Sequence, residues 1–441
     1  MTKFKCMIVT LLLVFLAGTA ESKVYLDVYG KTYKKITIGV PSFQSDRPDR
    51  LRVDMSELLN QDLDMSGFFI VAPNSLLDRE LTEEGIEKKD IKFTNWRSLG
   101  IELLCKAKFI MSNEEIALES YLYDTLDGSL LLAKRYKSRP EDWRRLVHRL
   151  ADDILLAVTG EKGIMSSRVV FVSGTKRNKD IYIGGIDGQN IRQVTNFHNI
   201  TVSPSVSPDG RFLAYTSYKE GKPNLFIMDL ETGKDIHSER EEGMKLGTTW
   251  FGKSTLGYAK TSGKQSSIYT FDAAGRQKKT LFTKEGILAS PSFSADGTKM
   301  AFVSDMYGSP QVFIRDNSSG EVKRLTYSGN YNASPSFSPK GDLIAFVARI
   351  NGSFEICTMN TDGSNQRVLT SGGINDSPHF SPCGRYIIYS SKKGDQYNAY
   401  IMLYNGENKR MLKLVNKDTD CLLYTSPSPR DRTRSRMPSS A

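Results

Sequence analysis

Apolar and polar positions alternate in short runs along the second part of the chain, and the runs return on a fixed beat. The strings SPSVSPDGRFLAYTS from Ser203, SPSFSADGTKMAFVS from Ser290, SPSFSPKGDLIAFVA from Ser334 and SPHFSPCGRYIIYS from Ser377 share one plan. A weaker copy, TTWFGKSTLGYAK, carries Trp250. The central apolar residues Val206, Trp250, Phe293, Phe337 and Phe380 are spaced by 44, 43, 44 and 43 residues. A second apolar position keeps the beat six times, at Phe171, Tyr215, Tyr258, Phe302, Phe346 and Tyr389. Alternation between turn signals predicts antiparallel hairpins. PDG, ADG and PKG are tight turns whose glycine takes the positive φ. After them come strands such as NLFIMDL and QVFIRDN, then turns such as ETG and SSG and a fourth strand such as VKRLTY. Four strands on a period of about 40–45 residues is a propeller blade. Six copies predict six blades, which bury each other's faces by radial stacking.

Before residue 160 the pattern changes. KKITIGVPSF and GFFIVAP read as strands, and LRVDMSELLNQDL has helical spacing at Leu51, Met55, Leu58 and Leu59. Three more strands follow, the last two joined at Asp127-Gly128. SRPEDWRRLVHRLADDILLAVTG predicts a helix, with Ser138 as cap and Pro140 in the first turn. Its apolar stripe is Trp143, Leu146, Val147, Leu150, Ile154 and Val158, and His148 falls on the polar, solvated side. The expected fold class is an α/β N-terminal domain plus an all-β six-bladed β-propeller of WD40-like repeats. The expected divisions are a signal peptide (1–20), an extended segment (21–33), the α/β domain (34–160), the propeller (161–420) and a tail (421–441).

The leader has Lys3 and Lys5, an apolar core over residues 7–17 and a small-residue cleavage site at Gly18-Thr19-Ala20. Export with cleavage near Ala20 is expected. No cysteine stands at the cleavage site, which argues against a lipoprotein. The formal charge is +10. Half of it comes from the two leader lysines and from Arg430, Arg432, Arg434 and Arg436 against Asp431. The remainder is spread without long runs, so a nucleic-acid partner is not expected. Cys105, Cys357 and Cys383 fit neither a disulfide framework nor a zinc spacing. They read as buried or turn thiols, with a Cys357–Cys383 bridge as the alternative.

No G-x-S-x-G elbow, P-loop or G-x-G-x-x-G is present, and the repeats leave no room for a catalytic domain before residue 441. His148, His198, His237 and His379 are scattered and form no metal pair. The Asp-Gly pairs at Asp209, Asp296 and Asp362 are turn residues, lacking the further acidic ligands calcium requires. No catalytic, cofactor or metal site is expected. The simplest reading is a binding module.

The order and lengths of these parts resemble the TolB family, from the leader to about residue 415. The likeness rests on ESKVYLDVYGKTYKKITIGVPSFQ after the leader, NWRSLGIELLCKAKF in the first domain, TGEKGIMSSRVVFVS at the passage into the propeller, and the S-P-x-F-S-P-D-G strings. The resemblance implies a non-enzymatic periplasmic protein of the Tol-Pal system, which supports outer-membrane integrity and constriction at cell division. It implies two partners, the lipoprotein Pal on the propeller and TolA on the mature amino-terminal segment. A monomer without membrane insertion or cofactor is expected. The TolA segment is expected at Val24, Tyr25, Leu26, Asp27, Val28 and Tyr29, whose alternation suits β-augmentation of another sheet. The other reading of this segment is a native strand of the first domain. The loops entering the inner strands share one face, the expected Pal face. By resemblance Ile200, Ser203 and Leu246 lie there, with Leu288, Asn332 and Asn375 at the matching places in later blades. The alternative function is an exported propeller hydrolase or carbohydrate-binding protein using the channel. Carboxylates on the inner strands would favour it, but the inner strings read Ser, Pro, Phe and Val.

The beat places a further inner strand near residue 423 or 424, where the family closes its ring. Here the chain reads CLLYTSPSPRDRTRSRMPSSA, without an aromatic-Ser-Pro centre and rich in Arg, Ser and Pro. Residues 421–441 are therefore expected to be a disordered tail foreign to the fold, similar to translated sequencing adaptor; the alternative is that LLYTS mimics a closing strand, since Leu422, Leu423 and Tyr424 can pair.

Overall fold

The computed structural model describes residues 34–46, 50–77, 84–175, 177–273, 277–394, 396–414 and 424–426. In the first domain, strand Ile36–Gly39 lies between Phe69–Val71 and Leu103–Met111 and runs parallel to both. Ile116–Asp124 and Leu130–Ser138 extend the sheet antiparallel, joined through Asp127-Gly128. Strand alternation splits the sheet's faces. Leu103, Cys105, Ala107 and Phe109 pack against helix α1 (Leu51–Ser66) and a long later helix. Leu104 and Tyr123 pack on the other face with Trp96 of the short helix α2 (Phe93–Ser98).

The long helix is α3 (Trp143–Thr159), entered through a 3-10 turn at Pro140–Asp142. Its apolar stripe is buried in the core. Ser138 does not cap it. That residue ends the preceding strand and its hydroxyl donates to Arg139 O, so the proline turn alone starts the helix. Gly160, at φ 72°, ends α3 in the left-handed conformation.

Six blades follow around a ring, forming five hydrogen-bonded sheets among the described residues, since blades five and six share one eight-stranded sheet through the pairing of Phe354 with Ile374. Blades two to six start with the inner strands Thr201–Val206, Met244–Phe251, Leu288–Phe293, Asn332–Phe337 and Ile374–Phe380, and each runs outward in sequence order. Blade one holds Arg168–Gly174, Lys179–Gly185 and Arg192–Gln193. Its inner strand comes from the far end of the chain. Tyr424–Ser426 pairs antiparallel with Arg168–Gly174 and closes the ring. This corrects the expectation of a tail disordered from residue 421, because backbone pairing to an open blade edge needs no aromatic centre. Residues 427–441 lie outside the described residues.

One apolar cluster joins the two domains. It runs from the first domain's core through Ile164 and Met165 to Phe171 and Ile186 of blade one and to Tyr386, Ile388 and Ile401 of blade six. Polar contacts ring it. Tyr386 donates its hydroxyl proton to Ser66 O, Asn408 Nδ2 donates to Met65 O, and Arg410 pairs with Asp64 at 2.6 Å. Glu161 takes Lys340 at 3.3 Å and Arg385 at 3.5 Å. Among the described residues no helix is long and apolar enough to cross a membrane.

Candidate functional site

A propeller disc has two unlike faces, and the strand order assigns them. The turns from first to second and from third to fourth strand share one face. That face carries the first domain, because Lys340, Arg385, Asp187 and Asn408 all sit at or beside those turns. The inlet loops of the inner strands and the loops from second to third strand form the other face.

The inner strands of blades two to six each begin with a built irregularity. The ladder shifts register between Val202 and Ser205, Leu246 and Thr249, Ala289 and Ser292, Ala333 and Ser336, and Asp376 and His379. At each shift one residue takes positive φ: Ser203 (53°), Ser290 (47°), Ser334 (50°), Ser377 (53°) and, in blade three, Gly247 (65°). These residues line the narrow upper part of the central channel. The bulge is what the Ser-Pro pair encodes: proline has no N–H for the ladder, and the residue before it leaves the strand.

The six residues expected on the Pal face divide in two. Leu246 is exposed, and Ile200 and Ser203 are partly exposed. Leu288, Asn332 and Asn375 lie at the same end of the disc but are buried, so they offer no surface. Asn332 Nδ2 donates to Gln311 Oε1 and Ser328 O. Asn375 Nδ2 donates to Glu355 Oε2, Phe354 O and Gly372 O. Both belong to a recurring fastener. Thr326 Oγ1 donates to Gln311 and accepts from Val312 N–H, and Thr370 Oγ1 does the same with Glu355 and Ile356 N–H. Thr195 repeats it with Asp180 and Ile181 N–H. The exposed apolar side chains of this face are instead Met244, Leu246, Ile287, Tyr307, Tyr327 and Ile374. Met244, Leu246 and Ile374 stand in the first residues of their inner strands, and Ile287, Tyr307 and Tyr327 lie in the loops beside strands. The expected TolA segment, residues 24–29, lies outside the described residues.

The channel widens toward the first domain's side into a compartment of about 290 Å³. Its walls are Trp250, Phe251, Phe293, Phe337 and Phe380, prolines such as Pro339 and Pro382, and small polar residues, with His379 between this compartment and the narrow one. Among the described residues no three of His, Cys, Asp and Glu are grouped to hold a metal. Asp209, Asp296 and Asp362 each accept a backbone N–H from two residues on, as turn residues do. Cys357 lies within blade five and Cys383 in a turn of blade six; with Cys105 they are free thiols.

His148 is not solvated. Its Nδ1 lies 2.7 Å from Asp62 on α1, and its Nε2 lies 3.2 Å from Asp187 in the turn after Lys179–Gly185 of blade one. Arg144 binds the same Asp187 oxygen through Nε at 2.9 Å and a terminal nitrogen at 2.7 Å. Burial pulls the His148 pKa down, but the two carboxylates outweigh it and push it up to about 9. Burial also opposes ionisation of Asp187, yet His148 and Arg144 hold its carboxyl well below the usual range. Burial raises the pKa of Asp62 despite His148. The polar side of α3 is thus a charged seam between the domains.

A closed six-bladed ring, an α/β domain fixed over one face and an apolar rim on the other define a two-domain β-propeller with one face free. The family described as the TolB amino-terminal domain matches residues 24–131, and the TolB beta propeller domain matches residues 156–421. The chain belongs to the TolB family. It is 34% identical over 288 residues to a TolB homolog of Chlorobium luteolum, which is 65% of each chain. It is 31% identical over 332 residues to a Tol-Pal system protein TolB of Desulfosudis oleivorans, 74% of this chain and 66% of that one. The matches cover between about half and two thirds of the curated relatives' length. The crystal structure of TolB from Acinetobacter baumannii aligns with a TM-score of 0.75 at 25% identity, over 86% of this chain and 93% of that one.

Proposed function

We propose that the protein is a non-enzymatic periplasmic component of a Tol-Pal system. It binds Pal on the free face of its propeller and TolA through residues 24–29, and so supports outer-membrane integrity and constriction at division. The reading is supported by the names of the relatives and by one observation. The face left open by the first domain is the one that carries Met244, Leu246, Ile287 and Ile374 exposed. Clustered apolar side chains rimmed by polar loops suit a protein partner. Calorimetric titration with the periplasmic domain of Pal tests it. Leu246→Asp and Ile287→Asp, singly, are expected to weaken binding by about tenfold or more. Charge changes at the opposite turns, such as Lys253→Glu, are expected to leave it unaltered. The reverse pattern would mean that Pal uses the other face. Removal of residues 21–33 is expected to abolish TolA binding and to leave Pal binding in place.

A further inference from the structure

The repeat is broken at one chemically telling place. The second polar residue of the inner string is Ser205, Thr249, Ser292 and Ser336 in blades two to five, and His379 in blade six. At least one of the hydroxyls is a fastener: Ser292 Oγ accepts Phe337 N–H at 2.9 Å. His379 has no such role. Among the described residues its ring makes no hydrogen bond to the protein, and it borders both channel compartments. The wider one has a wall of aromatic faces and proline rings and no charged side chain. Burial pushes the His379 pKa down to about 4, so at neutral pH the ring is an uncharged donor and acceptor. The indole N–H of Trp250 is taken, donating to Ser205 O at 2.9 Å, which leaves that ring to offer its π face.

We propose that the wide compartment binds a neutral phenol, its ring against the walls formed by Trp250, Phe293, Phe337 and Phe380 and its hydroxyl hydrogen-bonded to His379. The half-buried imidazole has no partner among the described side chains and faces the channel, where a phenol hydroxyl can take its hydrogen bond. An anion finds no cation here, and a ring without a hydroxyl leaves the imidazole unpaired. The volume suits a one- or two-ring molecule. This site is distinct from the proposed Pal face, since it opens among the turns that line it at Pro208, Gly252 and Ala295.

The test is fluorine NMR of 4-fluorophenol with the full-length protein. Saturable binding is expected with a dissociation constant of about 0.1–1 mM, given so few ligand atoms. Fluorobenzene is expected to bind about tenfold more weakly and 4-fluorobenzoate more weakly still. His379→Ser, which restores the repeat, should weaken 4-fluorophenol binding by about tenfold at an unchanged melting temperature. Ala295→Trp, which fills the opening without touching His379, should abolish it. N-acetyltyrosinamide binding as tightly as 4-fluorophenol would assign the site to a tyrosyl side chain, and weaker binding to a free phenol. The proposal is overturned by no saturation below about 10 mM, by equal binding of the benzoate, or by unchanged affinity in both variants.

Discussion

In blades two, four, five and six a serine follows the central apolar residue and holds its turn together. Ser294 Oγ donates to Asp296 at 2.6 Å and accepts from Lys299 N–H at 3.0 Å. Ser207 does the same with Asp209 and Phe212 N–H. In blade six Ser381 accepts from Tyr386 N–H, but its side-chain partner is Cys383 Sγ at 3.2 Å. A hydroxyl on a carboxylate is a stronger bond than one on a thiol. Ser294→Ala is therefore expected to cost about 1–2 kcal/mol, a fall of about 2–8 °C in Tm by calorimetry, and Ser381→Ala clearly less. Equal losses at the two positions would refute this ranking. The turns themselves were legible, since Asp-Gly and Lys-Gly after proline signal positive φ at glycine. The left-handed backbone at Ser203, Ser290, Ser334 and Ser377 was not, because serine before proline signals a break in the ladder but not a positive φ. Nor was the burial of Asn332 and Asn375. A position beside an inner strand says which end of the disc a residue occupies, not that Gln311 or Glu355 waits underneath it.

At the scale of elements, helix α3 shows where periodicity stops informing. Its apolar stripe was readable because core burial selects one face at helical spacing. Its polar face read as solvated because that pattern carries no record of a second domain. In the fold, blade one's turn brings Asp187 to His148 and Arg144. The glycine of that turn, Gly188 at φ 76°, lets the backbone lie against Lys413 O, where a side chain would collide. The folded-state pKa of His148, about 9, is above the usual 6.5. Its stabilisation is thus fully present below pH 6.5 and is lost as pH rises through about 9, when a neutral ring no longer separates Asp62 from Asp187. Thermal melts from pH 6 to 10 are expected to show Tm falling between about pH 6.5 and 9 and levelling off above that. His148→Leu should cost about 3 kcal/mol at pH 7 and remove that alkaline step. A variant that melts lower but keeps the step would place the titration elsewhere.

At the scale of the whole molecule, stability turns on one seam. Five inner strands of six to eight residues put Val206, Trp250, Phe293, Phe337 and Phe380 opposite Leu213, Leu256, Met300, Ile344 and Ile387. The sixth is the 3-residue strand Tyr424–Ser426, and its register sets Thr425 opposite Val169, at the place of those five. The beat of the repeats foretold a closing strand near this point; its offset of one or two residues from the aromatic plan needed the pairing itself. Closure joins the last blade to the first, so a short strand makes this the weakest join of the ring. Opening it would bare the edge of Arg168–Gly174, whose neighbours Val169 and Phe171 belong to the interdomain core. Replacing residues 421–427 with the sequence of residues 376–382, which carries Phe380 into register with Val169, should therefore raise Tm by about 2–4 °C for each 1 kcal/mol gained. Truncation before residue 421 should lower Tm and speed hydrogen exchange first in Arg168–Gly174, ahead of the other second strands. If truncation leaves both Tm and that exchange unchanged, the ring is held by the interdomain core alone and the terminal strand adds nothing to it.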